Sequence, residues 1–215
     1  MKYFTSDPHF GHKNILTWAR PQFNTIEEHD AFLVDLYLSW AKKLTALDEF
    51  WVLGDIFDLD YLYLINYFKA KTVLVMGNHD AHKDIDKFKY YFDVVHEYPV
   101  YISDKICVSH IPQNVFDSQI CIHGHIHGNV IDKPNYVSAC LETTDYKLVS
   151  EKQVLSRFNK LPKYSHRHLE APYTEWEKVL IRPQNDLILK SNGHIDVSAM
   201  RALKYIENKG VNKIC

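Results

Sequence analysis

Asp7, His9, Asp55, Asp58, Asn78, His79, Asp80, His110, His125 and His127 fall in five short segments of a 215-residue chain. The segments are Asp7-Pro8-His9, Gly54-Asp55 with Asp58, Gly77-Asn78-His79-Asp80, His110, and Gly124-His125-Ile126-His127. Carboxylates and imidazoles suit divalent ions of intermediate hardness, Mn²⁺, Fe²⁺ and Zn²⁺ among them. On an extended segment Asp7 and His9 would point to one side and could both reach one ion. His125 and His127 share that spacing and could turn toward neighbouring ions. So many donors suggest a two-ion centre, and such centres commonly cleave phosphate esters. Gly54, Gly77 and Gly124 adjoin the donors, where a chain must leave a strand abruptly or let a substrate come close.

Each segment follows an apolar run: Lys2-Tyr3-Phe4-Thr5, Phe50-Trp51-Val52-Leu53, Thr72-Val73-Leu74-Val75-Met76, Ile106-Cys107-Val108, and Gln119-Ile120-Cys121-Ile122. Read as strands, they place every donor on a loop at a carboxyl edge, where α/β sheets build their sites. Helices should intervene. Thr25-Ile26-Glu27-Glu28 has capping-box form. Phe32, Leu33, Leu36, Tyr37, Trp40 and Leu44 then recur at helical spacing. Further helices are expected over residues 61–68 and 83–91, and strands over 94–102, 105–109, 120–123 and 136–141. Ser150-Glu151-Lys152-Gln153 should cap a short helix to about Asn159.

Residues 1–160 therefore form one domain, and 161–215 a C-terminal extension. In the extension, Asn192-Gly193 between apolar runs predicts a hairpin, followed by a helix over 198–208. Its role is open between a lid and an oligomer contact. With 46% hydrophobic residues, 14 Tyr and 11 Phe, the chain can bury an ample core. A net charge of -2 supplies no global positive field to attract nucleic acid. The basic cluster Lys163, His166, Arg167 and His168 reads as a solvated linker surface. Cys107, Cys121, Cys140 and Cys215 form no CxxC pair and should be free thiols. With no leader or membrane span in evidence, the cytoplasm is the expected location.

The five blocks in this order resemble the calcineurin-like metallophosphoesterase family, whose pattern is D-x-H, G-D-x-x-D, G-N-H-[DE], H, G-H-x-H. The opening Phe4-Thr5-Ser6-Asp7-Pro8-His9-Phe10-Gly11-His12-Lys13-Asn14-Ile15 is similar to small bacterial and phage-encoded members. If phage-encoded, the protein would work in the host cytoplasm. The resemblance implies an α/β (α+β) fold: a four-layer αββα sandwich of two mixed sheets flanked by helices, with the C-terminal extension appended. It implies that Asp7, His9, Asp55 and His127 hold one metal and Asp55, Asn78, His110 and His125 the other, Asp55 sharing its two oxygens. Mn²⁺ is the expected metal, with Fe²⁺, Zn²⁺ or Ni²⁺ as others that such a site takes. His79 would be the acid at the leaving oxygen, and Asp58 would orient its ring. Asp80 would be structural. The implied activity is hydrolysis of a nucleotide-derived phosphodiester or phosphomonoester.

His12, Asn14 and Arg20 suit phosphate binding, although His12 and Asn14 could equally cap the next helix. His123 is expected to be packed rather than to bind metal. His110 is followed by Ile111-Pro112, where many relatives have glycine, and no arginine follows Asp58, unlike the protein Ser/Thr phosphatases. Two other functions compete: a nuclease or nucleic-acid end-processing phosphatase, and a non-catalytic metal-bound scaffold. The weak net charge argues against the first, and retention of His79 and Asp58 against the second.

Overall fold

The computed structural model describes residues 1–158 and Leu161. The hairpin, the helix over 198–208, the basic cluster and Cys215 lie outside the described residues. Among the described residues the elements run β1 (Lys2–Thr5), α1 (Ile15–Trp18), α2 (Ile26–Lys43), β2 (Glu49–Val52), a 3-10 helix (Leu59–Tyr67) and β3 (Lys71–Val75). A short 3-10 turn (His82–Asp84) leads into α3 (Ile85–Tyr91) and β4 (Val94–His96). Then come β5 (Val100–Ser103), β6 (Ile106–Ser109), β7 (Ile120–His123), β8 (Tyr136–Ser138), β9 (Val149–Ser150) and α4 (Glu151–Phe158).

Two mixed sheets result, as the resemblance implied. The first has the order β4-β3-β2-β1-β9, its four leading strands parallel and β9 antiparallel to β1. The second has the order β5-β6-β7-β8, with β6, β7 and β8 parallel and β5 reversed. Strand alternation divides the core in two. Phe50, Val52 and Leu74 join Leu33, Tyr37 and Trp40 of α2, Leu62 of the 3-10 helix and Phe88 of α3 in one cluster. Trp51, Leu53, Val73 and Val75 turn the other way to meet Ile106, Val108, Ile120, Ile122 and Val137 of the second sheet. The site-bearing strands are thus buried on both faces, which explains their continuous apolar runs.

Local signals hold with specific departures. Oγ1 of Thr25 accepts from the Glu28 amide at 3.1 Å, while the Glu28 carboxylate reaches the amide of Asn24 rather than that of Thr25. Ser150 and Gln153 close the full reciprocal box before α4. Phe32 lies outside the α2 core face and packs on Phe23 and Tyr146. The strand expected over 94–102 is two strands in different sheets, β4 and β5, with Pro99 between them, where a missing N–H breaks a ladder. The strand expected over 136–141 stops at Ser138. The segment expected as helix over 61–68 is 3-10 helical from Leu59, capped by Asp58 accepting from the Asp60 amide. Cys107, Cys121 and Cys140 are free and buried.

Candidate metal centre

The carboxyl ends of β1, β2 and β3 in one sheet and of β6 and β7 in the other bring the donor loops together at the seam between sheets. Asp7, His9 and His127 form one group whose ligand atoms all lie within 4.8 Å of one another; Asp55, His110 and His125 form a second. Each group takes donors from both sheets.

Within each group, one atom of a donor is held by the protein while another is left facing its neighbours. In Asp7, Oδ2 accepts from the His125 amide at 2.9 Å and the Cys140 thiol at 3.3 Å. Its Oδ1 has no hydrogen-bond partner and faces Nε2 of His9 and of His127, each at 3.8 Å. His9 pairs its Nδ1 with His12 at 3.1 Å, leaving the buried Nε2 without a hydrogen bond. His127 pairs its Nδ1 with Glu142 at 3.0 Å. His110 gives Nδ1 to the Leu53 carbonyl at 2.7 Å, so its Nε2 meets Asn78 Oδ1 at 2.9 Å, His125 Nδ1 at 3.2 Å and Asp55 Oδ2 at 3.3 Å. Asp7 Oδ1 and His9 Nε2, buried side by side without a hydrogen bond, call for a cation, and anchored outer atoms are how proteins set ligand tautomers. The residues fit a pair of divalent ions.

Asp55 joins the groups through one oxygen. Its Oδ2 lies 3.4 Å from His9 Nε2 and 3.3 Å from His110 Nε2, whereas Oδ1 accepts from the His79 amide at 2.9 Å. Asp55 thus stands between the two groups, as a shared donor must. The electrostatics follow. Burial opposes ionisation of Asp7, but His9, His110 and His127 outweigh it and hold the carboxyl well below the usual range. Burial likewise disfavours a charged His110, yet Asp55 and Asp7 raise it to about 9. A proton on His110 thus meets the same negative field that would draw a metal ion.

The backbone reaches this arrangement by an unexpected route. Asp7, His9, Asp55, His125 and His127 all have positive φ, from +49° to +71°. The members of each D-x-H or H-x-H pair therefore converge through left-handed turns, not through alternation along an extended strand. Non-glycine residues seldom adopt that region, and each costs of order 1–3 kcal/mol. Compensation is visible. The Asp80 carboxylate accepts from the amides of Asp55, Ile56 and Gly77 at 2.8–2.9 Å, pinning the turn at Asp55. Gly77 allows that approach, since a Cβ there would sit 2.1 Å from Asp55 Oδ1.

Arg20 stabilises the turn at Asp7, which corrects its expected substrate role. Its side chain is fully buried, with Nη1 donating to the Pro8 carbonyl at 2.7 Å and Nη2 to the Asp7 carbonyl. Its Nη1 also lies 2.7 Å from His29 Nε2, and its Nε donates to Glu142 Oε1 at 3.0 Å. Arginine only donates, so His29 accepts at Nε2 and donates from Nδ1 to Asp30 Oδ1 at 2.7 Å. Asp30 Oδ2 in turn accepts from the Gly11 amide and Tyr61. Glu142, His29 and Asp30 were not singled out from sequence. Glu142 lies in no motif. His29 and Asp30 follow the capping box, where polar residues read as a solvent face.

His79 sits exposed at the rim, its ring 5.5 Å from that of His9. Asp58 does not bond to it among the described residues; its carboxylate caps the 3-10 helix instead. His12 contacts His9 and is stacked on Phe57 at 4.3 Å, so it supports a donor rather than capping α1. Asn14 is exposed at the N-cap position of α1 and makes no capping bond. His123 is buried and bonds the Gly124 carbonyl, in keeping with a packing role. No described helix is long and apolar enough to cross a membrane.

Comparison with known proteins gives concordant matches. The family described as calcineurin-like phosphoesterase matches residues 3–197. An uncharacterized protein of Methanocaldococcus jannaschii is 30% identical over 167 residues, covering 69% of this chain and 85% of that protein. The Gene 66 protein of Mycobacterium phage L5 is 28% identical over 166 residues, 60% of this chain and 78% of its own. A solved structure of a protein of unknown function from Aquifex aeolicus superposes with a TM-score of 0.57 at 26% identity, over 73% of this chain and 98% of that one.

Proposed function

The chain belongs to the calcineurin-like phosphoesterase family, a family of metal-dependent phosphoester hydrolases, and from that premise we propose how this member works. Asp7, His9, Asp55 and His127 hold one divalent ion, and Asp55, Asn78, His110 and His125 a second, with Mn²⁺ as the occupant. The observation that carries this reading is Asp55 Oδ2, which lies within 3.4 Å of the metal-facing nitrogens of both His9 and His110. Bound there, the ions would supply Lewis acidity toward a phosphoryl oxygen and a water deprotonated near neutral pH.

The chain's own residues do the rest. His79 stands outside the donor groups but is tied to them, its amide bonded to Asp55 Oδ1. Its exposed ring can therefore meet the ester oxygen of a phosphate placed at the seam and protonate it as it leaves. Asn78 and the four histidines are neutral donors, so only Asp7 and Asp55 bring negative charge to the side facing an anionic substrate. Arg20 and Glu142 hold the Asp7 turn and His127 in place without touching substrate. The substrate is a nucleotide-derived phosphodiester or phosphomonoester, and the protein acts in the cytoplasm.

Turnover of generic diester and monoester reporters with added Mn²⁺ tests this reading, comparing wild type with His79→Ala and Asp55→Asn. Loss of the general acid should cost about 10²–10⁴-fold in kcat. Metal-independent turnover, or full activity in both variants, would overturn it.

A further inference from the structure

Trp18 and Phe57 are large aromatic residues left in solvent beside the donor groups, 54% and 41% exposed. Trp18 stands edge-on to His127 with ring centroids 4.5 Å apart and lies 6.5 Å from His9. Phe57 is 6.3 Å from His9, 5.9 Å from His79, and stacked on His12. The two solvent-facing rings thus border the same donor, His9.

An exposed aromatic alone means little. Phe57 carries a second observation: its φ is +74°, a region that bulky residues rarely enter. The conformation is enforced from both sides, by the Phe10 amide donating to Ile56 and the Asp58 amide donating to Phe10. Such outliers persist only where the surroundings over-determine them, and they cluster at ligand clamps. Here the strained backbone turns a phenyl ring out beside His79 while Ile56, the preceding residue, is buried in the core.

We infer that Trp18 and Phe57 grip a planar aromatic group on the substrate, so that the preferred esters carry a nucleobase or aryl ring. The inference rests on the hydrolase reading, because it takes the phosphoryl group to lie at Asp55 and the two donor groups. Phe57 neighbours His79, which puts the gripped group on the side of the oxygen that His79 would protonate. Recognition by ring faces is tolerant of base identity, since every base offers a π-face. Selection should therefore distinguish aromatic from alkyl esters more strongly than one base from another.

Binding tests this apart from turnover. Calorimetric Kd values for adenosine 5′-monophosphate and methyl phosphate are measured on the Mn²⁺-loaded full chain, and their ratio is read. Stacking predicts adenosine 5′-monophosphate binding tighter by roughly 5- to 150-fold, with the ratio falling toward parity in Phe57→Leu and in Trp18→Leu. Phe57→Gly, which releases the left-handed backbone, provides a second variant at that position. A wild-type ratio within about twofold of parity, or a ratio kept in every variant, overturns the inference. Preferential binding without any turnover would sustain it while removing the hydrolase reading; turnover with no preference would do the reverse.

Discussion

Oε1 of Glu142 lies 3.0 Å from Nδ1 of His127, and the same oxygen accepts from Nε of Arg20. The carboxylate fixes the proton of His127 on Nδ1 and turns Nε2 toward Asp7. It also ties one donor loop to the guanidinium that holds another. Substituting Glu142 should therefore act on the metal rather than on the chemistry directly. Removing such an outer partner typically costs 10–100-fold in metal affinity. Titration calorimetry with Mn²⁺ should show this loss at one of two sites in Glu142→Ala, and an unaltered isotherm would refute the arrangement.

Arg20→Ala should be severely destabilising. It leaves Glu142 without its arginine, strips donors from the Asp7 and Pro8 carbonyls, and leaves His29 Nε2 unsatisfied. Breaking a buried pair by removing one partner costs about 3–5 kcal/mol. Urea denaturation of the chelator-treated protein measures it; a loss below about 1 kcal/mol would count against the network.

The same carboxylate predicts a pH dependence. Burial opposes ionisation of Glu142, but the bond from His127 and the charge of Arg20 prevail and hold its carboxyl below the ordinary 4.5. A depressed carboxyl stabilises the fold fully above its unfolded pKa, and that contribution drains away as pH falls through the folded value. The stability gap between wild type and Glu142→Gln should accordingly be full at neutral pH and shrink as the pH falls through and below the ordinary carboxyl range. A constant gap would show that the ionised form is not what matters.

Metal should stabilise the fold by mass action. At about 100 times Kd, a ligand bound only by the folded state adds about 2.7 kcal/mol per site. Thermal melts should rise with Mn²⁺ in wild type, fall back with chelator, and respond much less in Asp55→Asn, which impairs the shared donor. Equal rises in both proteins would disconnect Asp55 from the ions.

How far the sequence reveals this site differs from residue to residue. Asp7, His9, Asp55, His110, His125 and His127 are visible because donor types recur at strand ends in a fixed order, and the structure gathers them into two groups. The turns that gather them were not visible, since positive φ at aspartate or histidine leaves no mark as clear as glycine. Arg20 looked like a phosphate binder because residue type alone cannot distinguish a cation facing solvent from one buried against carbonyls. Glu142 is 122 residues from Arg20, a separation that no local pattern reports. Asp58 shows the converse hazard: a motif position whose side chain serves a helix cap. The division of 94–102 between two sheets had a sign in Pro99, overridden by the surrounding run of valines.

Each donor group draws on both sheets: Asp7 and His9 from one with His127 from the other, Asp55 from one with His110 and His125 from the other. Ions seated there would act as rivets between two halves that already share hydrogen bonds at this seam, from His125 to Asp7 and between His110 and Leu53. Stripping the ions would then loosen the joint between the sheets as well as stop turnover.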